Sequence, residues 1–224
     1  LMIDTKRIAA EKAVTYVKSG MTIGLGTGST ARYAIESLGL MVKDGLDIKA
    51  IATSLQSESL AEDLGIRLTN FSEVEQLDIT IDGADEVDEN LQLIKGGGGA
   101  LLREKIVAAS TRCYIIIADE KKLVRQLGNL PLPVEIIPFG YQSTLPKIKM
   151  LGGDVSLRKD AHEIFVTDNG NYIADCSFGI IANPPALQKK IKAVTGVVET
   201  GLFLNMANLI IIGCADGTLK IRIA

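Results

Sequence analysis

Two rhythms of apolar and polar residues run along this chain, and the first is helical. Ala10, Ala13, Val14 and Val17 fall at i, i+3, i+4 and i+7, which places them on one helix face. Asp4 is positioned to cap the start of that helix and Gly20 to end it. The second rhythm is a series of short apolar runs at Thr22 to Leu25, Ile48 to Ala52, Ile66 to Leu68, Ile79 to Ile81, Leu91 to Ile94 and Tyr114 to Ala118. Such runs predict strands with both faces covered. Helices are predicted from Ala31 to Leu38, from Leu55 to Leu64, and from Ala100 onward, where Leu101, Leu102, Lys105, Ile106 and Ala109 follow. Strands alternating with helices imply an open, mostly parallel α/β sheet.

The pattern changes after Gly128. Pro131 and Pro133 interrupt it. A strand (Val134 to Ile137), a helix (Thr144 to Leu151), a strand (Val155 to Leu157), a hairpin around Asp168-Asn169-Gly170-Asn171, a helix from Pro185 to Ala193 and a strand from Val197 to Thr200 then follow. That order suits a βαββαβ, ferredoxin-like unit. Leu209 to Cys214 and Leu219 to Ile223, around an Asp216-Gly217 turn, read as strands returning to the first sheet. The predicted fold is therefore α/β. An open, mostly parallel Rossmann-like domain (residues 1–128 and 201–224, discontinuous) carries an inserted smaller ferredoxin-like α+β domain (residues 129–200).

Composition narrows the function. With 47% hydrophobic and 23% charged residues in 224, the chain has ordinary globular composition. A net charge of -3 opposes general nucleic-acid binding, which needs clustered Lys and Arg. Cys113, Cys176 and Cys214 form no CxxC pair and read as buried small hydrophobes. No signal peptide and no apolar run of the ~20 residues needed to span a bilayer is visible, which predicts a cytoplasmic protein that does not engage membranes. His162, the single histidine, lies in a polar stretch, so neither a Ser-His-Asp relay nor a zinc HExxH site is available.

Three segments carry candidate chemistry. Gly24-Leu25-Gly26-Thr27-Gly28-Ser29-Thr30 joins a strand to a helix, where exposed N–H groups and hydroxyls suit an anion; tight packing is the alternative. It is neither a Walker A loop nor a GxGxxG loop. Asp82-Gly83-Ala84-Asp85-Glu86-Val87-Asp88 follows a strand, at the end where α/β sheets bind ligands; a solvated acidic loop is the alternative. Lys95-Gly96-Gly97-Gly98-Gly99 precedes a helix. Four glycines in a row carry a large entropic cost, which suggests backbone contact with a ligand. Glu104, one turn into that helix, is placed for capping or, in a closed pocket, for general-base work, and Lys95 for stabilising negative charge.

Taken together, GLGTGST, DGADEVDENLQLIKGGGGALLREK, VTDNGNYIAD and the Gly196 to Phe203 segment resemble the ribose-5-phosphate isomerase A family over essentially the whole chain. The resemblance implies interconversion of ribose 5-phosphate and ribulose 5-phosphate, a step of the pentose phosphate pathway, with no cofactor and no essential metal. It implies substrate binding by Thr27, Gly28, Ser29, Thr30, Asp82, Gly83, Ala84, Asp85, Lys95, Gly96, Gly97 and Gly98, with Lys6 and Lys122 as further basic residues and Lys121 an alternative to Lys122. It assigns acid/base chemistry to Glu104, with Asp82, Asp85 and Lys95 completing the catalytic set. The partner implied is a pentose phosphate, and the assembly a homodimer or homotetramer. Two rivals remain. One is a sugar-phosphate sensor module of the same fold, which normally carries a DNA-binding helix-turn-helix that is not seen here. The other is a CoA-transferase using Glu104 as nucleophile.

Overall fold

The computed structural model of the chain describes residues 4–224. The described residues fall into two compact units. The first comprises the residues through Ala84 together with Arg103–Lys122 and Met206–Ala224; the second comprises Asp85–Leu102 and Leu123–Asn205.

A seven-stranded sheet forms the first unit, in the order Leu219–Ile223, Leu209–Gly213, Thr111–Asp119, Leu77–Asp82, Thr22–Leu25, Lys49–Ala52, Arg67–Leu68. Every neighbouring pair is parallel except the hairpin of the two C-terminal strands. Its apolar runs are buried as expected: Ile115, Ile116, Ile117, Ile210, Ile211 and Ile212 have no exposed surface. Helices Thr5–Val14 and Ser29–Lys43 pack on this sheet through Ala9, Ala10, Ala13, Ala34, Ile35 and Leu38. Asp4 caps the first helix by accepting from the N–H groups of Lys6 and Arg7 at 3.2 Å. From Thr22–Leu25 the chain winds outward through Lys49–Ala52 to Arg67–Leu68, then crosses back to lay Leu77–Asp82 on the other side of Thr22–Leu25. The direction of winding thus reverses between Leu25 and Ile81, which are paired neighbours. Such a reversal opens a crevice at the carboxyl ends of the two strands.

The second unit has a four-stranded antiparallel sheet in the order Val197–Thr200, Leu132–Ile136, Tyr172–Ser177, Asp154–Leu157. Helices Tyr141–Lys149 and Pro184–Lys192 complete the βαββαβ sequence of elements. Its core is Val134, Ile136, Ile148, Ala174, Cys176 and Ile191 with their neighbours. A separate three-stranded sheet joins Leu202–Phe203, Leu93–Ile94 and Glu86–Val87.

Several elements differ from expectation. The first helix stops at Val14, while Gly20 takes φ +89° in the loop beyond. The second helix runs to Lys43 rather than Leu38, because Met41 and Val42 still find apolar neighbours. The strand expected before Asp168 is a single bridge, Val166 to Tyr172; Glu163–Ile164 pairs instead with Lys159–Asp160. Cys176 and Cys214 are buried but Cys113 only partly. The compact units also divide elsewhere than at residues 128 and 201. Glu86–Val87 and Leu93–Ile94 pair with each other and with Leu202–Phe203, so Asp85–Leu102 belongs with the second unit. Glu86–Val87 and Leu202–Phe203, the pieces that the sequence does not predict as strands, are two residues long and too short to show alternation. Among the described residues, no helix is long and apolar enough to cross a membrane.

Glu86, one of the four acids of the second motif, is a structural residue. It is 1% exposed, and its carboxylate accepts the N–H of Gly128 at 2.7 Å and of Leu130 at 2.6 Å. Glu86→Ala leaves both donors unanswered and is expected to destabilise the fold by about 3 kcal/mol. Urea unfolding that shows no change in midpoint would refute this role.

Candidate functional site

The first glycine motif begins where strand Thr22–Leu25 ends. Gly26 donates its N–H to Ile81 O at 2.9 Å, and its Cα faces Asp82 so closely that a Cβ would fall 2.2 Å from Asp82 Oδ1. Only glycine fits there. Thr27 follows, with Oγ1 2.7 Å from Thr53 Oγ1 and 2.9 Å from Ser54 Oγ. Ser57 Oγ donates to Gly26 O at 2.7 Å, and Thr53 Oγ1 to Leu25 O at 2.9 Å. Gly28 then takes φ +99° as N-cap of helix Ser29–Lys43 and offers no side-chain cap. The N–H groups of that first turn are left for another acceptor, the arrangement that suits an anion. Lys6 reaches this turn: its Nζ donates to Ser29 Oγ at 2.9 Å. Ser29 is exposed and Thr30 half-buried. A cleft of about 570 Å³ opens beside the turn, lined by Gly28, Ser29, Arg32, Gln56, Ser57 and Asp63 among others.

Asp82 ends strand Leu77–Asp82 beside this turn and has no exposed surface. A buried carboxylate needs donors. Its Oδ1 accepts the N–H of Gly83 at 2.7 Å and of Thr27 at 3.2 Å, and its Oδ2 accepts the Tyr114 hydroxyl at 3.0 Å. Tyr114 is itself buried. Desolvation first, then the negative fields of Asp82 and Glu104, hold its hydroxyl well above the ordinary tyrosine range. It therefore stays a proton donor to Asp82. Glu104, only 5% exposed in the first turn of helix Leu101–Ala109, lies within electrostatic reach of the same hydroxyl. In the first unit Asp82 thus accepts from both Thr27 and Tyr114, and Glu104 acts electrostatically on the same tyrosine. Gly83 and Ala84 are half-buried on the loop that leaves Asp82. Lys122 is half-buried on the short turn Glu120–Lys122, where Lys121 is exposed.

The second unit carries Asp85, Lys95 and the glycine run. Asp85 donates its N–H to Ile94 O at 2.8 Å, and its Oδ2 accepts the Gly97 N–H at 2.7 Å. Lys95 is 2% exposed; its N–H is bound to Gly201 O at 2.9 Å, and its Nζ stands 5.4 Å from the Phe203 ring centre. Gly96 takes φ +106° and Gly99 φ +82°, and the Phe165 ring lies where a Gly99 side chain would go. Gly97 and Gly98 are exposed. The fourth acid of the motif, Asp88, is used locally: its Oδ1 accepts the N–H groups of Asn90 and Gln92, both at 2.8 Å.

Sequence reasoning did not single out Thr53, Ser54, Ser57 or Tyr114. The first three follow strand Lys49–Ala52 just as the GTGST turn follows the strand next to it. Hydroxyl residues after two predicted neighbouring strands were the available signal. Tyr114 looked like one more apolar strand residue. Among the described residues, no group of three or more His, Cys, Asp or Glu side chains is placed to hold a metal ion.

Comparison with known proteins gives one consistent answer. The family described as Ribose 5-phosphate isomerase A (phosphoriboisomerase A) matches residues 49–217. Ribose-5-phosphate isomerase A of Bacillus mycoides is 53% identical over 217 residues, 96% of this chain and 98% of its own length. That of Parvibaculum lavamentivorans is 50% identical over 96% of each chain. Among solved structures, ribose 5-phosphate isomerase from Plasmodium falciparum superposes with a TM-score of 0.95 at 45% identity, covering 98% of this chain and 97% of its own. A D-ribose-5-phosphate isomerase in complex with phospho-erythronic acid also gives 0.95, at 36% identity, over 99% of this chain and 100% of its own. The site and these full-length likenesses lead to one conclusion: the chain belongs to the ribose-5-phosphate isomerase A family.

Proposed function

We propose that this chain interconverts D-ribose 5-phosphate and D-ribulose 5-phosphate through an enediolate, with Glu104 as the general base. The observation that carries the reading is a carboxylate withdrawn from water at the first turn of a helix, in the electrostatic neighbourhood of the Asp82–Tyr114 pair beside an anion-suited turn. In the open-chain sugar, Glu104 takes the proton from C2. The electron pair forms the C1–C2 double bond and leaves negative charge on O1. A proton passes from the O2 hydroxyl to O1, and Glu104 returns its proton to C1 as the C2 carbonyl forms. The phosphate, held by Thr27, Gly28, Ser29 and Thr30 with Lys6, supplies remote binding energy. Lys95 and the N–H groups of the glycine run stabilise charge on the oxygens. Asp82 and Asp85, with the loop residues Gly83 and Ala84, serve ring opening and hold hydroxyls, and Lys122 is a further substrate contact. No cofactor and no metal are part of the mechanism. A cytoplasmic address and assembly as a homodimer or homotetramer complete the reading, and light scattering tests the assembly directly.

The sensor alternative keeps binding and drops turnover. A coupled isomerase assay on ribose 5-phosphate separates the two, with turnover expected to persist in EDTA. Binding without turnover would favour the sensor, and activity that needs a divalent cation would sink the metal-free route. Glu104→Gln is expected to lower kcat by about two powers of ten or more, in line with the usual worth of a positioned base; near-normal turnover would remove Glu104 from the mechanism. Lys6→Ala is expected to raise KM about tenfold while kcat changes less than about threefold, because Lys6 acts on the phosphate end and not on the reacting carbons. A kcat loss with unchanged KM would contradict that assignment.

A further inference from the structure

Four consecutive glycines do not hold a shape unaided, since each has the most backbone freedom to lose. In the second unit the Gly96–Gly97 peptide is nevertheless gripped at both ends. Its N–H, on Gly97, donates to Asp85 Oδ2 at 2.7 Å. Its carbonyl oxygen, on Gly96, accepts from Arg158 Nη1 at 2.8 Å, and the same nitrogen lies 3.1 Å from Gly97 O. Rotating that peptide plane breaks the Asp85 and the Arg158 bonds together.

Arg158 is in turn fixed. Asp175 binds it bidentately, with Nε to Oδ2 at 2.9 Å and Nη2 to Oδ1 as the second arm. The Phe165 ring, which fills the side-chain space of Gly99, stands 5.8 Å from the Arg158 guanidinium carbon. The pair is largely withdrawn from solvent, with side-chain exposures of 15% and 24%. Asp85, Gly97, Arg158 and Asp175 line one cleft of about 290 Å³ together with Leu130, Pro131 and Pro133. No sequence motif covers Arg158, and Asp175 enters only as the last residue of the VTDNGNYIAD segment, with no role assigned.

We infer that Arg158, oriented by Asp175, is a positioning residue for the isomerase. It sets the plane of the Gly96–Gly97 peptide, and with it the direction of the Gly97 N–H and the seat of the Asp85 carboxylate. It acts through that peptide and not on the sugar. A point charge alone does not reproduce the role, because the planar fork must satisfy the Asp175 carboxylate and two carbonyls at once. Arg158→Lys keeps the charge and loses the fork.

This inference rests on the isomerase reading, so wild-type turnover is measured first in the same assay. Its absence would sink that reading itself. With wild-type turnover established, kcat and KM are measured for Arg158→Ala, Arg158→Lys, Asp175→Asn, Asp85→Asn and the Arg158→Ala/Asp85→Asn double variant, each checked for folding by thermal melting. The expected result is a kcat loss of about tenfold or more in both Arg158 variants, with KM changed less than about threefold. Partial recovery of Arg158→Ala by added ethylguanidinium is also expected. The double variant should fall no further than Asp85→Asn alone, because both residues act on one peptide. Near-normal kcat in folded Arg158→Ala would overturn the proposal, as would losses that simply multiply in the double variant. Should the Arg158 variants fail to fold, Asp175→Asn decides. A kcat loss in folded protein upholds the proposal, and activity that only tracks the folded fraction assigns the pair to stability and overturns it.

Discussion

A carboxylate taken out of water must find donors, and around Asp82 that requirement organises the first unit. The residue closes the strand at which the winding of the sheet reverses, and it has no exposed surface. Two backbone N–H groups and the Tyr114 hydroxyl answer it. One of those N–H groups belongs to Thr27, so satisfying Asp82 also shapes the turn that starts the next helix. Gly26 is needed because any side chain there would occupy the space of the carboxylate. Thr53, Ser54 and Ser57 then brace Thr27 and Gly26 from the neighbouring strand end. The anion-suited turn is thus an outcome of packing around one buried charge.

The acidic motif divides its labour according to what each carboxyl group faces. Glu86 and Asp88 are consumed by backbone N–H groups of their own unit. Asp82 and Asp85 instead tie strand and loop to the two glycine segments. Four acids in seven residues therefore do not make a metal site or a solvated tail. Asp82 closes a strand, Asp85 lies in the loop beyond it and Glu86 in a separate two-residue strand, so each carboxylate meets different backbone donors, and only two of them are left near turns able to meet a ligand.

Glycine has opposite uses in the two loops. In the first it permits close approach, since Gly26 abuts Asp82. In the second it keeps the loop free of side chains at the surface, since Gly97 and Gly98 are exposed while Asp85 and Arg158 restrain the Gly96–Gly97 plane. Openness suits binding, and restraint suits catalysis, where misdirected donors lose most of their value. Both properties are met by borrowing order from side chains far along the chain.

The order of strands and helices, the glycine turns, and the identities of Asp82, Asp85, Lys95 and Glu104 as residues of interest were all legible in local pattern, because burial periodicity and glycine placement are properties of neighbouring residues. The strand Thr22–Leu25 was legible to the residue. What escaped was every relation between distant parts. The three-stranded sheet that draws Asp85–Leu102 into the second unit pairs residues more than a hundred positions apart. Tyr114 reaches Asp82 across paired strands, and Arg158 reaches Gly96 from 62 positions away. A residue's partner depends on how the chain is wound, and hydrogen bonds and desolvation reward nearness in space and not in sequence. Chemistry-bearing residue types were therefore written in the chain, while their environments, and the choice of which carboxylates brace the fold and which face a turn, came only with the tertiary structure.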